Sequence, residues 1–263
     1  MKFWNSQNFH KKTIIWKYNS HRIELYRKGK NKKEEIIISI INYENELITN
    51  GLVPIRVKDE EFNILMNIYE KAGNQVLDVL KGIQLEYKTR FNCNIVNYFE
   101  TRIKEPKSIT NKMKKKNLEL NYKNMIEGIN DISGVRAVCN TKEDIYNLVS
   151  IIEKVPNWNL IRLKDYIKTP KKSGYSGYHI IVEVPVKIYE DSSLLKDQVF
   201  VKVEIQLRTI AMDFWAVNEH KMKYKSERKV SFWDSKRLKI YAKLLDLMEE
   251  RFSSISKKIE KCI

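Results

Sequence analysis

The residues best suited to chemistry lie on one side of a stretch with strictly alternating character, KDQVFVKVEIQLRTIAMDFWAVNEHKMKYK, residues 196–225. Its first half has an apolar set, Val199, Val201, Val203, Ile205 and Leu207, and a polar set, Lys202, Glu204, Gln206 and Arg208. A period of two predicts a half-buried β-strand. Its polar face is either solvated, as is usual in antiparallel sheets, or part of a functional site.

A second carboxylate in a strand context is Asp131, directly ahead of the apolar run VRAVC. If neighbouring strands carry Asp131 and Glu204, the two side chains could share one Mg²⁺ ion. This ion takes oxygen ligands and usually keeps water and substrate phosphates in its shell. The alternative is that Asp131 only caps the entry to its strand.

Cations occur around these carboxylates at useful spacings. Ser108 and Lys112 are four residues apart, so a helix would place the hydroxyl and the ammonium on one face, where they could bind a polyphosphate. Arg102 and Lys104 precede that helix, and Arg136 follows the first carboxylate by five residues. Guanidinium groups pair with phosphate and stack on flat bases. The alternative for each cation is a solvated charge.

The loop KTPKKSGYSGYH, residues 168–179, combines Lys171 with a tyrosine between small residues. Small neighbours predict that the ring of Tyr175 lies open to a ligand, as a stacking platform for a base. The alternatives are a turn tyrosine packed onto the surface and, for His179 at the start of an apolar strand, a core histidine.

The elements that would position these residues indicate an α+β fold, a mixed β-sheet packed against helices. A long helix capped by Asp59 is followed by a helix near Pro106 and a short strand, DISGVRAVC. Thr141 and Asp144 have capping-box spacing before a stripe of Ile145, Leu148, Val149 and Ile152. Strands are expected at 178–184 and 199–208. Residues 1–57 read as a β-rich appendage of unassigned role, and residues 58–263 as the main domain.

The C-terminal segment has apolar residues at alternating spacings of three and four: Leu238, Tyr241, Leu245, Met248, Phe252, Ile255 and Ile259. This pattern predicts a long helix. The helix either packs on its own domain or provides a self-association surface.

Composition restricts the class of protein and its partners. The 263 residues carry a formal net charge of +16, which favours a polyanionic partner such as nucleotide phosphates, RNA or an anionic membrane face. Three widely spaced cysteines, with no CxxC pair, are typical of a reducing cytoplasm. We found no signal peptide and no apolar run long enough to span a membrane. A cytoplasmic protein is therefore expected.

Four segments, in order and at fitting separations, together resemble the synthetase domain of the RelA/SpoT family. They are TRIKEPKSITNKM (101–113), DISGVRAVC (131–139), DYIKTPKKSGYSGYH (165–179) and VEIQLRTIAMDFWAVNEHKMKYK (203–225). In length the chain resembles a small, single-domain alarmone synthetase, and the resemblance runs from about residue 60 to about residue 260. It implies a nucleotidyltransferase-like synthetase fold with a long C-terminal helix.

The activity that the resemblance implies is that of a GTP pyrophosphokinase. The β,γ-diphosphate of ATP would pass to the ribose 3′-hydroxyl of GDP or GTP, making (p)ppGpp for the stringent response.

The same resemblance implies a role for each candidate residue. Asp131 and Glu204 would hold Mg²⁺, and Glu204 would also take the proton from the attacking hydroxyl. For ATP, Arg102 and Arg136 would sandwich adenine, while Lys104, Ser108 and Lys112 would hold the phosphates. Tyr175 would stack on the acceptor guanine, with Lys171, His179 and Gln206 nearby.

One departure from the family pattern leaves the acceptor open. Many relatives have arginine where this chain has Ser176, so the acceptor's 5′ phosphates would be held less tightly. Some relatives are toxins that pyrophosphorylate the 3′ end of tRNA, or make adenine alarmones, and a chain of charge +16 could bind tRNA. A catalytically silent RNA-binding protein on the same fold is a further alternative.

Two further expectations follow from the resemblance. The chain contains no His-Asp dipeptide, so synthesis without the hydrolase activity of longer relatives is expected. Relatives of this size are often tetramers, and the stripe at 238–259 offers a surface for such an assembly. Single-stranded RNA is, like tRNA, a candidate partner of the basic chain.

Overall fold

A five-stranded mixed sheet organises the part of the chain that the computed structural model describes, namely residues 16–19, 22–25, 60–187, 198–225 and 231–260. Strands β1 (Trp16–Asn19) and β2 (Arg22–Leu25) form a separate antiparallel hairpin. There follow α1 (Glu60–Phe91), β3 (Val96–Ile103), α2 (Pro106–Lys115), α3 (Tyr122–Gly128), β4 (Ser133–Cys139), α4 (Lys142–Ile152), β5 (Asn159–Asp165), β6 (Tyr178–Lys187), β7 (Gln198–Thr209), α5 (Ile210–Lys225) and α6 (Phe232–Glu260).

The order of strands in the sheet is β3-β4-β7-β6-β5. Strands β4 and β7 are parallel, and the other neighbouring pairs are antiparallel. The predicted mixed sheet with helices is therefore confirmed. The two strands predicted at 178–184 and 199–208 are β6 and β7, slightly longer than expected. The two edge strands, β3 and β5, were not predicted.

The register of β7 separates the sheet into a polar and an apolar face, because directly paired residues lie on the same side. Glu204 pairs with Gly134 of β4, and Gln206 pairs with both Arg136 of β4 and His179 of β6. Of the alternate positions, Val201, Val203, Ile205 and Leu207 are buried in the core, and Val199 is partly buried. The predicted alternation of β7 is thus confirmed, and its charged residues share a face with those of the neighbouring strands.

Helix α1 covers the apolar face and packs closely against β4. It runs unbroken through Gly73, where a Cβ would lie only 2.6 Å from Oγ of Ser133, so this glycine permits the close approach. The apolar residues of α1 that recur at helical spacing are buried, namely Phe62, Leu65, Tyr69, Ala72, Val76 and Leu80. Asp59, the predicted N-cap, lies outside the described residues.

Two local predictions about helix starts are confirmed. Pro106 is the first residue of α2. At α4, the Thr141 hydroxyl accepts from the Asp144 backbone N–H, and the Asp144 carboxylate accepts from the Thr141 backbone N–H, which is a capping box. The stripe of α4 at Ile145, Leu148, Val149 and Ile152 is buried in the core.

Helix α6 uses only part of the apolar stripe predicted for it. Leu238 and Leu245 pack on a small cluster around Trp215. Tyr241, Met248, Phe252 and Ile255 are more than half exposed, and the Ile259 side chain lies outside the described set. Packing on the chain's own domain therefore accounts for one edge of the stripe, and self-association through the rest stays a prediction.

In the segments described, no helix is both long and apolar enough to cross a membrane. Cys93 and Cys139 are free thiols, one exposed and one buried. Within residues 1–57 the structure describes the backbone of the β1–β2 hairpin, and the role of this region and the boundary at 57/58 stay predictions.

Candidate active site

A closed ring of hydrogen bonds on the polar face of the sheet includes the carboxylate of Glu204. Nδ1 of His179 lies 3.0 Å from Oε1 of Glu204, and Nε2 of Gln206 donates to Oε2 at 2.6 Å. Nη2 of Arg208 donates to Oε1 of Gln206, Nε of Arg208 donates to the hydroxyl of Tyr175, and this hydroxyl meets Nε2 of His179. The geometry fits hydrogen on Nδ1 of His179, so that donation runs toward Glu204.

These contacts keep Glu204 ionised in spite of its burial. Burial alone would raise the pKa of its carboxyl, but the hydrogen bonds from His179 and Gln206 outweigh this effect and hold the pKa below its usual value. The charge of Asp131 acts in the opposite direction and raises the pKa of Glu204, so the two carboxylates lie within electrostatic range of each other.

Asp131, just ahead of β4, is bound by two lysines. Its Oδ2 accepts from Nζ of Lys104 at 3.0 Å and from Nζ of Lys112 at 2.7 Å. Burial would raise the pKa of Asp131, but the hydrogen bond and charge of Lys112, together with Lys104, hold it below its usual value. The structure thus brings together both predicted carboxylates and two of the predicted phosphate-binding lysines.

The carboxylate of Asp131 has the chemistry that a magnesium ion requires. Its second oxygen, Oδ1, is buried and has no hydrogen-bond partner among the described residues. Such an oxygen costs free energy unless a ligand satisfies it. No group of three or more metal-ligating side chains occurs in the described segments. A Mg²⁺ ion held by two carboxylates would complete its shell with water and substrate phosphates, as this ion commonly does.

The lowered pKa of Asp131 predicts how its contribution to stability depends on pH. A depressed pKa in the folded state stabilises the protein above the usual value of 3.8, and this contribution is lost as the pH falls through the lowered value. We expect Asp131→Asn to lower the free energy of unfolding by about 1–3 kcal/mol near neutral pH. The difference from wild type should shrink only below pH 3.8. Urea unfolding followed by tryptophan fluorescence measures it, and a difference that vanishes already well above this pH would contradict the prediction.

The two arginines predicted to bind adenine lie on the same face of neighbouring strands. Arg102 of β3 pairs with Gly134, two residues from Arg136 on β4. The side chain of Arg102 packs over Gly134, where a Cβ would be in ordinary van der Waals contact with its Nε at 3.7 Å. Arg136 donates to Glu100 at 2.6 Å, whereas Arg102 is exposed. The pair can therefore meet a flat base from two sides, while adenine binding itself stays a prediction.

The cationic surface beside Asp131 is larger than the sequence indicated. Ser108 and Lys112 share the predicted face of α2, and both are half-buried. Burial, and then the charges of Lys112, Arg162 and Lys164, lower the pKa of Lys116, so these three cations lie within electrostatic range of Lys116. Arg162 and Lys164 were not among the predicted residues because β5 was not recognised as a strand, and Lys116, directly after α2, was not singled out. Such a group of like charges suits a polyphosphate.

Tyr175 does not stand open to a ligand, and the expectation from its small neighbours is wrong in this respect. The ring is only 8% exposed, and Nζ of Lys171 lies 4.6 Å from its centroid. Small residues have the opposite effect here, since Gly174 lets Ala242 of α6 approach, while Trp215 packs beside the ring. A base could stack on Tyr175 only after the exposed side chain of Lys171 moves aside.

The approach of α6 makes Gly174 sensitive to substitution. Its φ of +99° is unfavourable for other residues, and a Cβ would lie 2.9 Å from Cβ of Ala242. We expect Gly174→Ala to lower the free energy of unfolding by about 1–3 kcal/mol. The matched control is Gly82→Ala, in helix α1, where a Cβ meets no atom within 4 Å. The control should stabilise the protein by about 0.5–1 kcal/mol, and thermal unfolding measures both. Equal stability of the two variants would contradict the prediction.

One acid that the sequence reading did not single out joins several of these residues. Asp213, in the first turn of α5, is 5% exposed and accepts from Nη1 of Arg208 at 2.8 Å. It also lies 3.5 Å from Nε of Arg136 and accepts from the hydroxyl of Tyr98, whose pKa is raised to about 12, first by burial and then by this contact. The available signal was a lone acid in the apolar run AMDFWA directly after the strand.

Comparison with known proteins finds related sequences over most of the chain. Residues 101–229 match the family model described as the region found in RelA/SpoT proteins. The GTP pyrophosphokinase YwaC of Bacillus subtilis is 38% identical over 201 residues, which are 76% of this chain and 93% of that protein.

Solved structures with a similar fold include a small alarmone synthetase. The small alarmone synthetase 1 of Bacillus subtilis bound to its product pppGpp superposes with a TM-score of 0.69 at 28% identity, covering 76% of this chain and 99% of the other. The same enzyme bound to AMPCPP gives a TM-score of 0.64 at 26% identity, covering 77% and 100%.

Proposed function

The chain belongs to the RelA/SpoT family, and from this membership we propose that it is a GTP pyrophosphokinase making (p)ppGpp from ATP and GDP or GTP. The observation that carries the proposal is a pair of ionised carboxylates, Glu204 on the polar face of β7 and Asp131, which is bound by Lys104 and Lys112. Phosphoryl-type transfer depends mainly on positioning and on neutralisation of charge.

In the proposed reaction, the 3′-oxygen of the acceptor ribose forms a bond to the β-phosphorus of ATP. The bond between the β-phosphorus and the oxygen bridging to the α-phosphorus breaks, and AMP leaves with that oxygen. Glu204 takes the proton of the ribose 3′-hydroxyl. His179 and Gln206 hold the Glu204 carboxylate in place through hydrogen bonds. Lys104 and Lys112 neutralise the phosphate charge. When bound by Asp131 and Glu204, Mg²⁺ would polarise the transferred group.

The nucleotide sites follow from the same arrangement. Arg102 and Arg136 would hold adenine between their guanidinium planes, with Ser108 supporting the phosphates. Tyr175 would receive the guanine once Lys171 moves aside, and Lys171 could then turn to the acceptor's phosphates. That cation, 4.6 Å from the ring, could compensate for the serine at position 176.

A tRNA-modifying toxin of the same family is the second candidate, favoured by the net charge of +16 and by Ser176. The cations Lys116, Arg162 and Lys164 could contact a nucleic-acid backbone as well as a free nucleotide's phosphates.

The deciding experiment is transfer of label from γ-labelled ATP with magnesium, resolved by thin-layer chromatography. GDP, GTP, AMP, ADP and deacylated tRNA are offered separately. We expect label on GDP or GTP. Label on tRNA alone would make the protein a tRNA pyrophosphokinase. No transfer, together with steeply salt-dependent RNA binding, would make it a silent RNA-binding protein.

The absence of hydrolase activity is a separate part of the proposal. Labelled (p)ppGpp incubated with the protein and manganese or magnesium should stay intact while synthesis proceeds in a parallel tube. Rapid loss of its 3′-diphosphate would overturn this part and leave the synthetase proposal standing.

A further inference from the structure

Hydrogen bonds and one ion pair on the polar face join two groups of residues through the single carboxylate of Asp213. On one side lies Arg136, whose Nε is 3.5 Å from Oδ1. On the other lies Arg208, whose Nη1 donates to the same oxygen at 2.8 Å and whose Nε donates to the hydroxyl of Tyr175. We propose that Asp213 is a positioning residue that orients the binding groups of both nucleotides, the donor through Arg136 and the acceptor through Arg208 and Tyr175.

The position of Asp213 is fixed by the backbone on both sides. Helix α5 begins at Ile210 directly after β7 ends at Thr209, so no loop separates the carboxylate from the strand that carries Glu204. The Thr209 hydroxyl accepts from the backbone N–H of Met212 and holds this first turn. Such a junction leaves little freedom for the side chain, as a positioning group requires.

The surroundings of Asp213 indicate that the carboxylate serves the arginines rather than only its own helix. An acid in the first turn of a helix is favourable by itself. Here, however, the group is 5% exposed and both of its oxygens face other elements of the fold. Oδ2 accepts from Tyr98 of β3 and Oδ1 meets two guanidinium groups on β4 and β7. A helix-stabilising acid would need none of these partners.

The second contact of each arginine explains why loss of Asp213 should affect binding. Arg136 also donates to Glu100, an exposed side chain on the rim, so without Asp213 its guanidinium would be drawn toward the rim. Arg208 would keep only Gln206 and Tyr175 as partners, and its charge would be buried without a carboxylate. Both nucleotides would then meet arginines in altered orientations.

The test rests on the proposed function, because it uses that function's two nucleotides as probes. Calorimetry gives the Kd of α,β-methylene-ATP, which the reaction cannot cleave, and of GDP, each titrated alone. We expect Asp213→Asn to weaken both by about tenfold. Arg136→Gln should weaken mainly the ATP analogue, and Arg208→Gln mainly GDP. For GDP, the Asp213→Asn/Arg208→Gln double variant should be little worse than either single variant, as expected for residues acting as a unit.

The matched control is Asp234→Asn, which removes an exposed acid from the first turn of α6 and should change neither Kd. The proposal is overturned if Asp213→Asn weakens only one nucleotide or neither. Should that variant fail to fold, Tyr98→Phe decides, since it removes one hydrogen bond to Asp213 at a half-exposed residue. Weakening of both nucleotides by about two- to threefold supports the proposal, and weakening of one or none overturns it. If the wild type binds neither nucleotide, it is the proposed function that fails.

Discussion

Replacing Glu204 by glutamine should lower the rate of pyrophosphate transfer by about 10²–10⁴-fold. The change removes the proposed proton acceptor and keeps the size of the side chain. The amide would also meet the Nε2 amino group of Gln206, which now donates to Oε2 at 2.6 Å, so the ring of hydrogen bonds loses its acceptor. The Kd of α,β-methylene-ATP should change much less than the rate. Single-turnover transfer of label to GDP measures the first quantity, and calorimetry the second.

The matched control for this variant is Glu183→Gln. Glu183 is half-buried in β6 and pairs with Lys202, two residues before Glu204 on the next strand. The substitution Glu183→Gln removes one negative charge from the same sheet, as Glu204→Gln does. It should leave the transfer rate within about twofold of wild type. A wild-type rate in Glu204→Gln would remove Glu204 from the mechanism. Equal losses in both variants would indicate a general electrostatic effect.

Asp131→Asn should also lower transfer by about 10²-fold or more, and for a different reason. The amide cannot supply the second anionic oxygen for Mg²⁺, and its amino group would face Lys104 or Lys112, which now donate to Oδ2. Much of the lost activity should return at high magnesium concentration if the carboxylate acts by holding the metal. Titration of magnesium against the transfer rate measures this, with binding of fluorescent ATP as an independent readout.

The control for this variant is again Asp234→Asn, whose carboxylate is exposed and distant along the chain. It should show the magnesium dependence of wild type. A normal magnesium curve with Asp131→Asn would mean that the carboxylate serves only to anchor its two lysines. The metal would then have to be held by other groups.

The parts of the fold that could be predicted from the sequence are those in which burial imposes a regular pattern. Strand β7 lies in the middle of the sheet, so its alternation is complete, and α4 carries both a capping box and a buried stripe. Strand β5 was missed because it is an edge strand with almost every residue exposed, so nothing forces its apolar and polar residues to alternate. Strand β3, the other edge, was missed for the same reason.

The roles of the candidate site residues stay predictions, but part of their arrangement can be compared with the structure. Asp131 and Glu204 were expected on neighbouring strands; Glu204 lies on β7, whereas Asp131 lies two residues ahead of β4, the neighbouring strand. The burial of Tyr175 could not be predicted, because it depends on α6, more than sixty residues later in the chain, packing over Gly174. Asp213 was missed because its significance comes from three partners on three different strands, which a local pattern does not reveal.

The position of β7 has a consequence for how this protein comes to be folded. Its neighbours, β4 and β6, both precede it in the chain, and they pair with β7 rather than with each other. A ribosome therefore releases two strands whose inner edges stay open until β7 is made. Open strand edges favour pairing with other chains. Because β7 also carries Glu204, the insertion that closes this gap also brings in the proposed proton acceptor. A nascent chain ending before residue 198 would therefore leave both strand edges exposed and would lack this carboxylate.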